Sequence, residues 1–551
     1  MSSSSDDECG ESCVELKSMC ENVSYSGGVS DRREFLRQLY DLIGRWKGDL
    51  PNLGNIFRPR ELDWLLAESV TNNSWQQQSA AAGHSFVDFV IRSNYVDESE
   101  VVDKDGRPWS RRTTAIHRAA QHQKFDRIRD LFKIYRRFDV NYVDEESGLT
   151  HFHAACVAGL DDLVEKFLEL GQNPNCPSSK SVDAPLHLAL RHDRVKVVEL
   201  LMESGAFPNL ANEDGSTPLH VISQRPSDDD LMEVFFRIND AILQKVQLDV
   251  RDKLGDTPLH YALRYGNART AETMLRRGAN PNLVDARGST PLQIICEGGR
   301  VELLRLFLRI VDETGQQVDI DARDAEGRSA LRLAVENLWA DVVDVLLDRG
   351  ADLTNFVFSI KSHILNKDLE YYDCMRSELQ LEFACGVLAV TECLEKRGYQ
   401  LARADALTIM HAFAQQGIFE EFASLEKYWY EYEELTTEAS QIMINPRVSL
   451  DRISLLRPRD AAKQFRCLDC FALWRSGELW KKLPEAPRRA CIAQLNEIIA
   501  RGFCRRWAYE AFLELTRYRV PVECCDAIVG EPSFKNVDLY KICLAAAGGN
   551  S

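Results

Sequence analysis

The tetrapeptide Thr217-Pro218-Leu219-His220 returns unchanged as Thr257-Pro258-Leu259-His260. Looser copies stand at Ala184-Pro185-Leu186-His187 and Thr290-Pro291-Leu292-Gln293. Weaker ones stand at Thr114-Ala115-Ile116-His117, Thr150-His151-Phe152-His153 and Ser329-Ala330-Leu331-Arg332. Counted from their first residues, the steps between copies are 36, 34, 33, 40, 33 and 39. A chain that repeats one signature at a fixed period is built from one supersecondary unit, stacked.

The stretch 282–317 shows what the unit is. Asp285 and Gly288 suit a tight turn, since the carboxylate can bond nearby backbone and glycine tolerates positive φ. The Asp-x-x-Gly spacing returns at Asp252/Gly255 and Asp324/Gly327, and Gly215 holds the equivalent place before Thr217. Thr290 can cap a helix, with Pro291 at the first helical position, where no N–H is needed. Leu292, Ile294 and Ile295 make that helix apolar on one side, and Gly298-Gly299 ends it. Val301, Leu303, Leu304, Leu306, Phe307 and Leu308 predict a second helix too apolar to stand alone in water. Gly205-Ala206, Gly278-Ala279 and Gly350-Ala351 end second helices elsewhere. Such a unit buries its faces only against neighbours of its own kind.

This period and signature resemble the ankyrin-repeat family over residues 105–355. The resemblance implies an all-α fold: an ankyrin-repeat solenoid of about seven repeats with β-hairpin turns, a helical N-terminal cap and a helical C-terminal domain. It also implies a non-enzymatic chain whose work is to hold a client protein.

Residues 1–30, rich in Ser, Gly and acid, read as a disordered acidic tail. Over 31–104, Phe35, Leu36, Leu39, Leu42, Ile43, Leu62, Leu65, Leu66 and Phe86–Ile91 predict helices that cap the first repeat. The two long steps carry insertions at 224–230 and 312–317, placed in loops. Residues 356–405 read as a helical connector and 406–530 as a second region of short helices, with breaks at Pro446, Pro458, Pro484–Pro487 and Pro521. Residues 531–551 read as a tail.

Within 406–530, Asn445-Pro446, Leu456-Arg-Pro458, Leu479-Trp480, Leu483-Pro484-Glu485, Arg488–Ile492, Gly502-Phe503 and Arg506-Trp507 resemble the PRANC domain, the F-box-like module of poxvirus and arthropod ankyrin proteins. That resemblance implies docking to the adaptor subunit of a cullin-RING ubiquitin ligase through Trp480, Leu483, Pro484, Ile492 and Leu495. The chain departs from the usual F-box start, with Pro487 where an apolar residue is expected and Ala486 where a carboxylate is expected. The alternative is a plain scaffold or inhibitor in which the C-terminal helices only cap the array.

The net charge of -18 argues against a nucleic-acid surface over most of the chain, because phosphate binding needs clustered Lys and Arg. No apolar run of membrane-spanning length occurs, so no membrane partner is expected. Sixteen scattered cysteines without framework spacing predict reduced thiols in the cytoplasm or nucleus. His117, His153, His187, His220 and His260 recur once per repeat, a column and not a converging ligand set, so each is expected to bond backbone in the connecting turns. Cys467-Leu-Asp-Cys470 lies in an apolar helical pattern and reads as buried thiols. No hydrolase, kinase, phosphate-loop or metalloprotease signature occurs, and neither a cofactor nor a metal is expected.

Overall fold

The structure is a computed structural model. It describes residues 5–22, 29–46, 49–71, 85–97, 110–176, 183–225, 231–354, 356–360, 376–419, 438–455, 464, 467–529 and 535–548 of the 551-residue chain. The chain forms two compact units, Met1–Asn280 and Pro281–Ser551. Five repeats fall in the first and two in the second.

The first unit opens with helices α1 (Ser5–Asn22), α2 (Val29–Gly44), α3 (Pro59–Thr71) and α4 (Phe86–Arg92). The disordered tail expected at 1–30 is therefore corrected over Ser5–Asn22. Leu16 of α1 is fully buried and Glu15 reaches Arg45 at 3.0 Å. An apolar anchor and an ion pair to Arg45, just past α2, help seat a segment whose composition is otherwise polar. The apolar positions predicted over 35–43, 62–66 and 86–90 are buried, and Trp46 meets Phe89 edge-on at 5.3 Å.

Helix pairs then follow: α5 (Ala115–Gln121) with α6 (Phe125–Leu131), α7 (His151–Ala158) with α8 (Asp161–Glu169), and α9 (Pro185–Arg191) with α10 (Val195–Glu203). Next come α11 (Pro218–Ser223) with α12 (Leu231–Ala241), and α13 (Pro258–Tyr265) with α14 (Ala268–Arg276). First helices pack on first helices and second on second, so each repeat covers its neighbour's apolar face. Along the outer helices, Arg237 pairs with Glu199 (3.1 Å), Arg269 with Glu233 (3.0 Å) and Arg277 with Asp240 (2.7 Å), each across one repeat boundary. The insertion at 226–230 lies outside the described residues.

The joint between α3 and the first repeat is buried and charged. Arg112 donates to Asp63 at 2.5 Å and to Asp97 at 2.9 Å. The Tyr135 hydroxyl donates to Asp63 (2.6 Å) and that of Tyr142 to Asp97 (2.9 Å). Burial raises the carboxyl of Asp63 above its ordinary range, against the pull of Arg112.

The second unit continues with α15 (Pro291–Glu297), α16 (Val301–Thr314), α17 (Ala330–Glu336) and α18 (Ala340–Asp348). Helix α19 (Arg376–Lys396) packs on α18: Gly386 admits Leu338, and the Cys393 thiol donates to Ala340 O at 3.8 Å. The stretch read as a connector thus covers the last repeat with an apolar helix. Then follow α20 (Arg403–Gln415), strands β1 (Met443–Asn445) and β2 (Val448–Ser449), α21 (Cys467–Ser476), α22 (Glu478–Lys482), α23 (Glu485–Leu515), α24 (Val522–Val529) and α25 (Asn536–Ala546).

Four expectations change here. Asp312–Thr314, expected in an inserted loop, continue α16 to its cap at Gly315. Pro446 sits in the turn of a short antiparallel ribbon instead of between two helices. Pro487 does not break α23, because it lies in the first turn, where a missing N–H costs no helical bond. The tail expected at 531–551 contains α25, which packs along α23 with Leu539 and Cys543 buried beside Met410, Cys504 and Ala508. Pro458 lies outside the described residues.

Candidate functional site

The functional surface of the repeats is set by their turns, and the turns are set by a few polar atoms. Asp252 Oδ1 accepts from Leu254 N (2.9 Å) and Asp256 N (3.0 Å). Asp285 and Asp324 accept in the same way from Ser289 N and Arg328 N, each at 2.8 Å, and Asn212 from Ser216 N at 2.9 Å. Among the described residues the turns carry no strand ladder. Two amide-to-carbonyl bonds close the turn at Asp252, Asp252 N to Asp256 O and Gly255 N to Asp252 O, each at 3.0 Å, and the turn before Thr150 forms an isolated antiparallel bridge between Val143 and Thr150.

Gly215, Gly255 and Gly288 all have φ near +75°. Two of them also touch the next repeat. A Cβ on Gly215 would sit 3.1 Å from Asp252 Cα, and one on Gly288 would sit 2.9 Å from Ala325 N. These glycines hold adjacent turns in contact, with Lys253 N donating to Asp214 O at 2.9 Å.

Behind the turns of four repeats lies the Thr-x-x-His clasp. Thr217 and Thr257 cap α11 and α13, with Pro218 and Pro258 at their first positions and Leu219 and Leu259 buried beneath. Thr217 N donates to His220 Nδ1 and Thr257 N to His260 Nδ1, each at 3.0 Å. The far nitrogen then reaches the next repeat: His117 to Tyr142 O (3.0 Å), His187 to Ser216 O (3.0 Å) and His220 to Asp256 O (3.2 Å). In His117 and His220, where Nδ1 accepts from the threonine amide, the ring is neutral and carries its proton on Nε2, whereas Nδ1 of His187, behind Ala184, has no partner among the described residues. Burial holds His117 and His153 down at about 4, and His151, His187 and His220 are lowered for the same reason. Gln293 does the same work in the sixth repeat, accepting from Thr290 N (2.7 Å) and donating to Ala322 O (2.9 Å) and Arg328 O (2.8 Å). His117, His187 and His220 thus bond the backbone of the following repeat, while the far nitrogen of His153 meets the Cys176 thiol at 3.8 Å. Among the described residues no three His, Cys, Asp or Glu side chains gather as a metal site.

On this framework the fifth repeat displays a distinct patch. The Tyr261 hydroxyl donates to Asp252 Oδ2 at 2.7 Å, tying helix α13 to its turn. Arg264 forks onto Asp256 at 2.7 and 2.8 Å and lies over the Tyr261 ring. Tyr265 stacks on Tyr261 with centroids 6.4 Å apart and is 52% exposed, while Leu254 at the turn tip is 65% exposed. These are large apolar groups held rigidly in water, a common signature of contact surfaces. Motif reading missed them because they fall at the variable positions of the repeat.

Of the residues expected to dock a ligase adaptor, three are interior and one is exposed. Leu483, Ile492 and Leu495 are buried in the second unit, so they hold its core and are not a free face. Pro484 is exposed and precedes α23, and the side chain of Trp480 lies outside the described residues. Cys470 is buried, and burial pushes its thiol far up, so it is inert. No helix among the described residues is long and apolar enough to cross a membrane.

Comparison with known proteins agrees with this geometry. The family model for ankyrin repeats matches residues 116–212, 152–239, 186–285 and 266–356. The ankyrin repeat protein nuc-2 of Neurospora crassa is 28% identical over 241 residues, 44% of this chain and 21% of that protein. The ankyrin repeat protein FPV230 of fowlpox virus is 27% identical over 176 residues, which cover 27% of this chain and 91% of that one. The chain thus spans about a fifth of the nuc-2 protein's length. The solved ankyrin repeat domain of Bcl-3 is 27% identical and covers 38% of this chain and 89% of its own, at a TM-score of 0.33. Residues 116–356 of this protein are ankyrin repeats.

Proposed function

We propose that this chain is a non-enzymatic scaffold of the cytoplasm or nucleus that holds a client protein on the side of its repeats bearing Leu254 and Tyr265. Ankyrin repeats are a protein-binding scaffold, and the observation that supports this site is the pair of exposed apolar groups fixed by Tyr261, Arg264 and Asp252. Rigid anchors lose little conformational freedom on binding, so a few of them carry most of the affinity. The test is affinity purification with the intact chain, then with a Leu254→Ser, Tyr265→Ser variant. Loss of the captured client by about tenfold or more is expected; capture equal to the unaltered chain would place the site elsewhere.

The finer reading is that the second unit recruits a cullin-type ligase. What favours it is local: α22 ends at Leu483, Pro484 is exposed, and a long helix follows at once, the helix–Leu–Pro–helix order of the resemblance. With Leu483, Ile492 and Leu495 interior, docking falls to the exposed Pro484 and Glu485. Adaptor and cullin should co-purify with the intact chain and be lost in a Pro484→Asp, Glu485→Lys variant that still holds its client. Their absence from the intact chain's complexes would leave the plain scaffold.

A further inference from the structure

Five repeats end their second helix on a glycine in the left-handed region: Gly171, Gly205, Gly278, Gly315 and Gly350, at φ from +69° to +94°. The glycine amide bonds the carbonyl three residues back, and the next amide reaches five back, as in Gly205 N to Met202 O (3.0 Å) and Ala206 N to Leu201 O (2.9 Å). The fourth repeat makes the same two bonds, Leu243 N to Asp240 O (3.3 Å) and Gln244 N to Asn239 O (2.9 Å), but the residue in the glycine place is Leu243, at φ +57°. A Cβ there meets the following carbonyl, which is why glycine is favoured. The side chain is 92% exposed, so burial within the chain recovers none of that cost.

Leu243 has neighbours of its own kind. The second and third repeats set Leu170 (60% exposed) and Phe207 (57% exposed) at or just beyond the same helix ends. The intervening loops are laced together. Asn175 Nδ2 donates to Gly205 O (2.9 Å) and Phe207 N to Asn175 Oδ1 (2.7 Å). Asn209 Nδ2 donates to Lys245 O (2.8 Å) and Gln247 N to Asn209 Oδ1 (2.8 Å). Three consecutive repeats thus line one edge with large apolar side chains on a bonded backbone. Beside them Glu169 and Glu203 are exposed and form no ion pair among the described residues. This edge is distinct from the side that carries Leu254 and Tyr265, which belongs to the turn and first helix of the fifth repeat.

We infer that this edge is a second docking surface, and that its occupant is a lysine- or arginine-bearing amphipathic helix of a partner protein. The apolar stripe of such a helix covers Leu170, Phe207 and Leu243, and its cations meet Glu169 and Glu203, a helix-on-surface mode.

The test uses the full chain and two labelled helical peptides of one amphipathic pattern, one built of leucine and lysine, the other of leucine and glutamate, read by fluorescence anisotropy. The Leu/Lys peptide is expected to bind about tenfold tighter than the Leu/Glu peptide, and Leu243→Gly to weaken it several-fold, to within about a factor of ten. The melting temperature of Leu243→Gly should stay level or rise, since it restores the glycine of the other repeats. Glu169→Gln with Glu203→Gln should also weaken binding, while Leu254→Ser should leave it unchanged. Equal binding of both peptides, or Leu243→Gly binding as the unaltered chain does, overturns the proposal. So does a sedimentation profile in which the chain is a dimer that Leu243→Gly makes monomeric, because the occupant would then be a second copy.

Discussion

At the scale of the residue, a buried histidine that accepts on one nitrogen and donates from the other must stay neutral. Its folded value lies below the unfolded one, so protons bind once the chain opens. The array should therefore lose stability as pH falls from about 6.5 towards about 4, the window between the ordinary histidine value and that of His117 and His153. Gln293 shows that an amide can replace the ring without losing either bond. His220→Gln should accordingly keep its neutral-pH melting temperature and soften the acid loss, as read by thermal denaturation between pH 7 and pH 5. A steeper acid loss in the variant would refute the clasp. Gly215 supplies a second case. Gly215→Ala combines positive φ with a Cβ 3.1 Å from the next repeat's backbone, and should cost about 1–3 kcal/mol in chemical denaturation.

At the scale of the element, the charged joint under α3 ties the N-terminal helices to the first repeat. Buried pairs of this kind give registry more than net stability, and cutting one partner strands the others. Arg112→Met leaves Asp63 and Asp97 buried without their cation and should cost about 3–5 kcal/mol. Hydrogen exchange should report it first as lost protection in Pro59–Thr71. Unchanged exchange there would mean that the joint is held by its apolar contacts alone. The outer Arg–Glu pairs are different: half in water, they are worth about 0–1 kcal/mol each.

Elements also show where the sequence was legible. Period, cap, proline and turn residue give the repeats because each acts within about four residues of itself. The column spacing of the histidines speaks only against a converging metal site; the carbonyls they bond lie in the next repeat. The joint around Arg112 was invisible, since Asp63, Asp97 and Arg112 lie far apart in the chain and match no motif. Helix α25 was missed because a few apolar residues near a chain end look like a tail until α23 is seen beside them. The exposed anchors Leu254, Tyr265 and Leu243 carry no pattern, because a contact surface is defined by what it leaves uncovered.

For the whole molecule, the two units call for different experiments. In the second, α25 closes the core around Met410 and Cys504, so removing residues 531–551 should lower that unit's thermal transition by several degrees, roughly the effect of opening a buried helix contact. The transition of the first unit should not move, and a shift in both would show that they melt as one.

The clasp also has a direction. His187 finds its carbonyl at Ser216 and His220 finds its own at Asp256, always further along the chain. While the polypeptide leaves the ribosome, each ring can bond only water until the turn that follows it is synthesised. Assembly during translation must then trail synthesis by one repeat, and a nascent chain arrested just after Ser223 would hold a histidine with nothing to grasp.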